Sequence, residues 1–366
     1  MEYDFLIIGG GVAGLSAAAR LSELGRVLLL EAESSLGYHT SGRSAALFEE
    51  NYGKPSTVAL NRASRTYHET AHGGVLSPRG LMIVTTADDE ERFEADLKTM
   101  RLPEIGMDEA RAHVPILKPG AVTRAGYHAD AWDIDTDRLL QNYAKDARAG
   151  GAEIVVGSRV AGITQVSNGW HVEAGDVTAS ARQLVNAAGA WADGVAAMAG
   201  VAPLGITPLR RSIAQIPAPE GRDIAAWPIF FGPGESWYAK PQAGKLLVSP
   251  AEEDPVEPHD AWAEDMVLAE GLARYEEYVT APVTRLETSW AGLRSFAPDR
   301  SLVLGPDPEA PSFIWCAGQG GYGMQTSPGA SAFLADMIAG RAPEIEADVA
   351  AQLTPDRLRQ GSMQPA

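Results

Sequence analysis

Three glycines, Gly9, Gly11 and Gly14, stand in the order G-x-G-x-x-G, and a carboxylate, Glu31, follows the first of them by 22 residues. Residues of these types at this spacing suit a dinucleotide. The first glycine turns the chain, the second lets backbone approach a pyrophosphate, and the third lets a helix pack on a strand. The carboxylate then accepts hydrogen bonds from ribose hydroxyls. Two arginine-bearing stretches point to a different task. In RRSIAQI a strand would put Arg210 and Arg211 on opposite faces, so only one can point into a buried site. In WAGLRSF, Arg294 sits among apolar and aromatic residues, where a guanidinium requires an anionic partner from the protein or from a ligand.

The hydrophobic pattern gives the elements that must position these groups. Asp4 to Ile8 reads as a short strand, Ala13 to Leu24 as a helix of small residues stopped at Gly25, and Val27 to Leu30 as a second strand ending at Glu31. Together they make one parallel βαβ unit, whose helix N-terminus turns free N–H groups and a positive dipole end toward the phosphates. A second literal match, Gly318, Gly320 and Gly323 in GQGGYG, follows a strand-like run from Ser312 to Ala317. A helical pattern from Ser327 to Ile338 comes next, with Gly340 as its stop. Too little chain remains for another nucleotide-binding domain, so this strand, loop and helix must return to the first. Gln183 to Val185 leads into NAAGAW, a small-residue turn suited to close approach of backbone to a ligand. Strand-like stretches around Ile206–Ile216, Ile229–Val248 and Val283–Trp290 are expected in a second unit.

The 366 residues carry 48 acidic and 30 basic side chains, and the formal charge of −18 repels phosphate backbones and anionic membrane surfaces. Nucleic acid is not an expected partner. The single cysteine, Cys316, leaves no internal disulfide and no multi-cysteine metal site, the seven histidines form no metal-ligand spacing, and no G-x-S-x-G elbow is present. No metal is expected. The start of the sequence lacks the basic and apolar runs of a signal peptide, and no uncharged stretch is long enough to span a bilayer. The cytoplasm is therefore the expected compartment. Only one complete βαβ fingerprint is present, whereas flavoenzymes that also bind NAD(P)H carry a second, so FAD is the expected cofactor.

GGGVAG with Glu31, GYHTSGRSAA, NAAGAW, WAGLRSF and GQGGYGMQTSP occur in this order, with IDTDRLL and PLGITPLRRS among them. In these blocks, which cover nearly the whole chain, the sequence resembles the D-amino-acid oxidase superfamily of FAD-dependent oxidoreductases, most closely its bacterial D-arginine dehydrogenases. The resemblance implies an α/β fold: a Rossmann-like FAD-binding domain of the glutathione-reductase type, discontinuous over residues 1–46, 136–204 and 290–366. A second, α+β substrate domain over 47–135 and 205–289 would roof the flavin with an antiparallel sheet. FAD would be noncovalent, because Cys316 does not match the flavin-linking cysteine of sarcosine oxidases.

Carried over residue by residue, the resemblance puts Gly9, Gly11, Val12, Ala13 and Gly14 at the ADP moiety and Glu31 on its ribose. Arg43, Ser44 and Ala45 would lie beside pyrophosphate or flavin, backbone of Val160 at the adenine, and Ala188, Gly189 and Trp191 in the turn against the cofactor. Arg294 and the loop of Gly320, Gly321, Tyr322, Gly323, Met324 and Gln325 would meet the isoalloxazine. Arg211 and Arg294 would fix a substrate carboxylate as rigid donor forks. Tyr238 would add a hydroxyl donor, Tyr52 would cover the site from a mobile, exposed loop, and Gln325 would complete the catalytic set. The reaction implied is hydride transfer from the alpha carbon of a D-amino acid to flavin N5, giving an imine that hydrolyses to a 2-oxo acid and ammonia. A deprotonated amine can drive this step without a general base.

The sequence departs from the D-arginine enzymes where they read the side chain. Leu81 replaces the carboxylate that meets the cationic group, and Leu47 replaces a histidine. With Ile229, Phe231 and Gly321 also in the expected pocket, neutral or apolar side chains are expected, since an unpaired buried cation is costly. Glu49 could supply a replacement carboxylate from its loop, so basic substrates stay within the expectation. Three other readings compete: an amine or glycine oxidase of the sarcosine-oxidase type, a 2-hydroxy-acid dehydrogenase using FAD, and a nucleotide-binding or NAD-dependent protein. The electron acceptor, quinone or oxygen, has no motif.

Overall fold

The computed structural model describes residues 2–360. The expected βαβ unit is present as β1 (Tyr3–Ile8), α1 (Val12–Leu21) and β2 (Val27–Leu30), with β1 and β2 parallel. All four residues of β2 are buried. An uninterrupted apolar run of this kind is what a strand covered on both faces requires. The strand Val177–Asn186 pairs parallel to β1 on its other side, Glu153–Val155 extends the sheet beyond β2, and Phe313–Ala317 joins parallel to Val177–Asn186. The late strand and glycine loop thus do return to the first sheet.

The helix after that loop spans Gly323–Ile338, four residues earlier than the pattern from Ser327 suggested. Gly323 and Pro328 lower intrinsic helicity, but packing against α1 and α2 (Pro55–Thr70) decides the start. Pro328 cannot donate to Met324, whose carbonyl takes the Ser327 hydroxyl at 3.0 Å instead. Two residues of α2 then complete the helix from outside: Ser64 Oγ accepts from Gly329 N at 2.9 Å, and His68 Nε2 lies 2.9 Å from the Gln325 carbonyl. α2, with Phe48, Leu60 and Val75, therefore belongs to the core on the α1 side of the first sheet. Residues 47–76 were expected with the other unit.

The second sheet has nine strands and is antiparallel except where Leu81–Thr85 runs parallel to Ile229–Phe231. The expected strand over Ile229–Val248 is three strands, Ile229–Phe231, Tyr238–Gln242 and Lys245–Ser249. The two long strands Thr207–Pro217 and Thr288–Phe296 pair antiparallel, so residues 290–296 lie in this sheet rather than the first. Period-two alternation divides its residues cleanly. Met82, Val84, Phe230 and Ala239 face a core around Trp237, while Leu81, Ile83, Ile229, Phe231 and Tyr238 cluster with Phe93 and Met100 on the opposite face. Among the described residues no helix is long and apolar enough to cross a membrane.

Candidate active site

A cavity of about 220 Å³ lies between the glycine turn of the first sheet and the inner face of the second. On the first sheet's side, the backbone is shaped for a ligand. A Cβ on Gly14 would strike the Gly9 carbonyl, and one on Gly9 the Ala187 carbonyl, so both positions need glycine for the fold itself. A Cβ on Gly11 would meet nothing nearer than Ser41 Oγ at 3.1 Å. The fold constrains Gly11 far less than Gly9 or Gly14, through one hydroxyl rather than backbone, and Gly11 lines the cavity. Ser41 Oγ accepts from Val12 N at 2.9 Å at the first turn of α1. Sequence spacing gave no sign of Ser41, which arrives from 29 residues away.

Glu31 is 9% exposed, and its carboxylate holds the turn: Oε2 accepts from Gly10 N at 2.6 Å and Oε1 from Glu33 N at 2.8 Å. Each oxygen keeps a second lone pair for a ribose hydroxyl. Arg43 lines the cavity, yet its guanidinium is engaged by the carbonyls of Ala261 and Ala291 and by Asp260 at 2.5 Å. Ser44, Ala45, Gly189, Gly320, Gly321, Gly323, Met324 and Gln325 also line it, with Val12 and Ala13. Gly9, Gly14, Glu31, Val160, Ala188, Trp191 and Tyr322 do not. Tyr322 packs on Tyr52 with ring centroids 5.1 Å apart. Trp191 instead packs against His39, with ring centroids 4.8 Å apart and the rings tilted by 47°.

Strand register explains the arginines. Leu209 pairs with Arg294 and Arg211 with Gly292, so Arg211 and Arg294 share one face of the two long strands, and Gly292 leaves the space opposite Arg211 open. Both line the cavity. Arg210 points away and is engaged by Asp254 and Glu264, each at 3.0 Å. Arg211 is 6% exposed; Glu253 lies 3.3 Å away and Glu235 3.6 Å, while its Nε and one terminal nitrogen have no hydrogen-bond partner. Arg294 lies against Gly321, where any Cβ would come within 2.9 Å of the guanidinium. Among the described residues no carboxylate comes within ion-pair distance of Arg294. Burial opposes its charge, but Tyr52, Tyr238 and Glu235 around it favour the charge, and the net shift is upward.

The remaining walls are apolar: Leu47, Leu81, Met100, Ile213, Ile229 and Phe231. Alternation along β3 (Leu47–Phe48) puts Leu47 and Glu49 on the cavity side and sends Phe48 into the core beside His68. Glu49 is 1% exposed and faces His128 Nε2 at 3.0 Å. Tyr52 was expected on an exposed loop. It is instead half-buried, because Asn61 Nδ2 of α2 donates to the carbonyls of Glu49, Glu50 and Tyr52. Burial, then Glu235, holds the Tyr52 hydroxyl well above its ordinary range, so it stays a donor at neutral pH. Gln325 Nε2 is a buried donor without a partner beside the cavity. Glu235, Met100, Ile213 and Ser41 are among the wall residues that sequence reasoning missed.

His68, which steadies Gln325, is fully buried, and burial lowers its imidazole from 6.5 to about 4. The unfolded chain therefore takes up this proton first. Stability should fall as pH drops from 6.5 toward 4, by roughly 3 kcal/mol over the window. Urea unfolding at pH 7 and pH 4.5 should show this loss in the wild type, and a smaller one in His68→Gln. Equal losses in both would assign the pH dependence to other groups.

Comparison with known proteins follows the same lines. Residues 4–337 match the family described as FAD dependent oxidoreductase, DAO. Glycine oxidase of Bacillus licheniformis is 23% identical, covering 94% of this chain and 95% of the relative. L-2-hydroxyglutarate dehydrogenase of Escherichia coli strain K12 is 28% identical over 55% of this chain and 51% of its own. Among solved structures, L-proline dehydrogenase from P. horikoshii superposes with a TM-score of 0.83 at 20% identity, covering 98% of each chain. These relatives do not single out the D-arginine dehydrogenases.

Proposed function

This chain belongs to the DAO family of FAD-dependent oxidoreductases, and from that premise we propose that it oxidises D-amino acids with neutral or apolar side chains, releasing a 2-oxo acid and ammonia. The observation that carries the reading is Arg294, a guanidinium in the cavity wall with no carboxylate at ion-pair distance among the described residues. A buried cation of this kind is expensive unless a ligand supplies the anion. A carboxylate common to all 2-amino acids would supply it, joined by Arg211, Tyr52 and Tyr238. Leu81, Ile229, Phe231 and Met100 would enclose the side chain, and removing it from water favours apolar groups.

The residues present fit FAD. The side-chain-free backbone at Gly11, the α1 N-terminus and Gln325 Nε2, unpartnered among the described residues, all face the cavity that would receive it. When bound, FAD supplies the two-electron acceptor for the hydride that leaves the alpha carbon. We assign noncovalent binding, because Cys316 is outside the cavity wall and burial raises its thiol to about 12, far from the reactive thiolate. The cofactor unit is assigned to 1–46, 136–204 and 290–366 and the substrate unit to 47–135 and 205–289, with residues 47–76 and 290–296 packed across that division.

A second reading keeps the arginine pair and changes the group on the alpha carbon: glycine or a secondary amine, or a 2-hydroxy acid. The relatives support it as well as the first. Turnover of D-leucine, glycine, sarcosine and D- and L-2-hydroxyacids with an artificial acceptor, alongside peroxide assay in air, separates them. D-leucine should be fastest, with the acceptor outpacing peroxide. Preferential turnover of a hydroxy acid or sarcosine would replace the first reading with the second.

A further inference from the structure

We infer that Glu235 restricts the site to substrates carrying a single carboxylate; the inference rests on the reading that Arg211 and Arg294 hold a substrate carboxylate. Glu235 lines the same cavity, with its carboxylate 3.6 Å from Arg211. On the far side of Arg211, Glu253 bridges to Arg300 at 2.7 Å. Arg211 and Arg300 thus pair with Glu235 and Glu253, and Arg294, lining the same cavity, remains without an ion-pair partner among the described residues, an excess of one positive charge. One substrate carboxylate neutralises it. A second would enter beside Glu235 with no further cation to receive it, because Arg43 is already engaged by Asp260 and two carbonyls. The other cavity carboxylate, Glu49, faces His128.

The turn that carries Glu235 is held in place. The Glu235 φ of +52° is a left-handed conformation that a glutamate seldom adopts, and it follows Gly234 at +61°. The turn is tied on both sides: Gly234 N donates to Asp96 at 2.7 Å, Ser236 N to the Pro233 carbonyl at 3.2 Å, and Arg274 Nε to the Ser236 carbonyl at 3.1 Å. A backbone strained and held in this way directs the side chain toward the cavity it lines and toward Arg211.

The test titrates FAD-loaded enzyme with two unreactive acids, propanoate and malonate, reading Kd from the perturbed flavin spectrum. Wild-type enzyme should prefer propanoate, and Glu235→Gln should shift the Kd ratio toward malonate by about tenfold, the size of one nearby charge at partial screening. Glu235→Asn, which tolerates the left-handed backbone, should do the same, and Glu235→Asp should keep the wild-type ratio. An unchanged ratio in both neutral variants, with propanoate still bound, overturns the role of Glu235 and leaves the carboxylate site standing. If neither acid binds the wild type, the carboxylate site itself fails, and the inference with it.

Discussion

Arg294→Met will lower kcat/KM for every substrate by roughly thirtyfold or more, while the protein keeps its FAD and loses no thermal stability. The first part follows from the loss of a charge-assisted hydrogen bond to a buried carboxylate, worth on the order of 2 to 5 kcal/mol, at tenfold per 1.4 kcal/mol. The second follows from the absence of a protein ion partner: among the described residues no carboxylate at ion-pair distance is orphaned when the guanidinium goes. With no ion pair broken among the described residues, Tm should change little. A structural salt bridge behaves the opposite way, losing stability with its partner left bare. Arg211→Met should cost activity similarly but also disturb Glu253 and Glu235, which then share fewer cations. Steady-state kinetics with a melting curve on both variants checks the pair. Unchanged kcat/KM in Arg294→Met removes the residue from the site.

Gly11→Val will yield folded protein depleted in FAD, and Gly14→Ala will damage the fold. The two glycines differ in what surrounds them. At Gly14 any Cβ collides with the Gly9 carbonyl, so no rearrangement short of moving β1 or α1 accommodates it. At Gly11 the nearest atom to an added Cβ is Ser41 Oγ at 3.1 Å, a side-chain hydroxyl whose movement costs at most its bond from Val12 N. The valine methyls would then occupy cavity space at the first turn of α1, where a pyrophosphate needs the backbone N–H groups. Overpacking of this kind costs about 1 to 3 kcal/mol, roughly ten- to a hundredfold in Kd for FAD. Glu31→Ala should lose both properties together, since it frees two N–H groups in the turn as well as the ribose site. Flavin content per folded chain, with circular dichroism as the control, reads all three. Full flavin occupancy in Gly11→Val would contradict the assigned pyrophosphate position.

The residues that were legible in the sequence are those whose role depends on neighbours within a few positions. The glycine turn, β1, α1 and β2 follow from local sterics and a short apolar period. The opposed directions of Arg210 and Arg211 follow from strand alternation alone. What was not legible depends on distant partners. Ser41 reaches Val12 across 29 residues, and Ser64 and His68 reach the late helix across more than 250. No local pattern announces these bonds, although Pro328 within a helical run signals that outside partners must exist. Glu235 was hidden for the same reason. Its loop, GPGES, reads as an ordinary turn, and only the register of the second sheet brings it opposite Arg211. The expected exposure of Tyr52 failed because the polar residues around it are read as solvated, whereas Asn61 gathers their carbonyls inward.

The most direct measurement mixes FAD-loaded enzyme anaerobically with D-leucine and, separately, with 3-methylbutylamine, which keeps the amine and side chain but lacks the carboxylate. D-leucine should bleach the flavin absorbance rapidly, and the amine should leave it oxidised over the same time. Bleaching at equal rates by both compounds, or by neither, would contradict a site in which Arg211 and Arg294 hold a substrate by its carboxylate for oxidation at the alpha carbon.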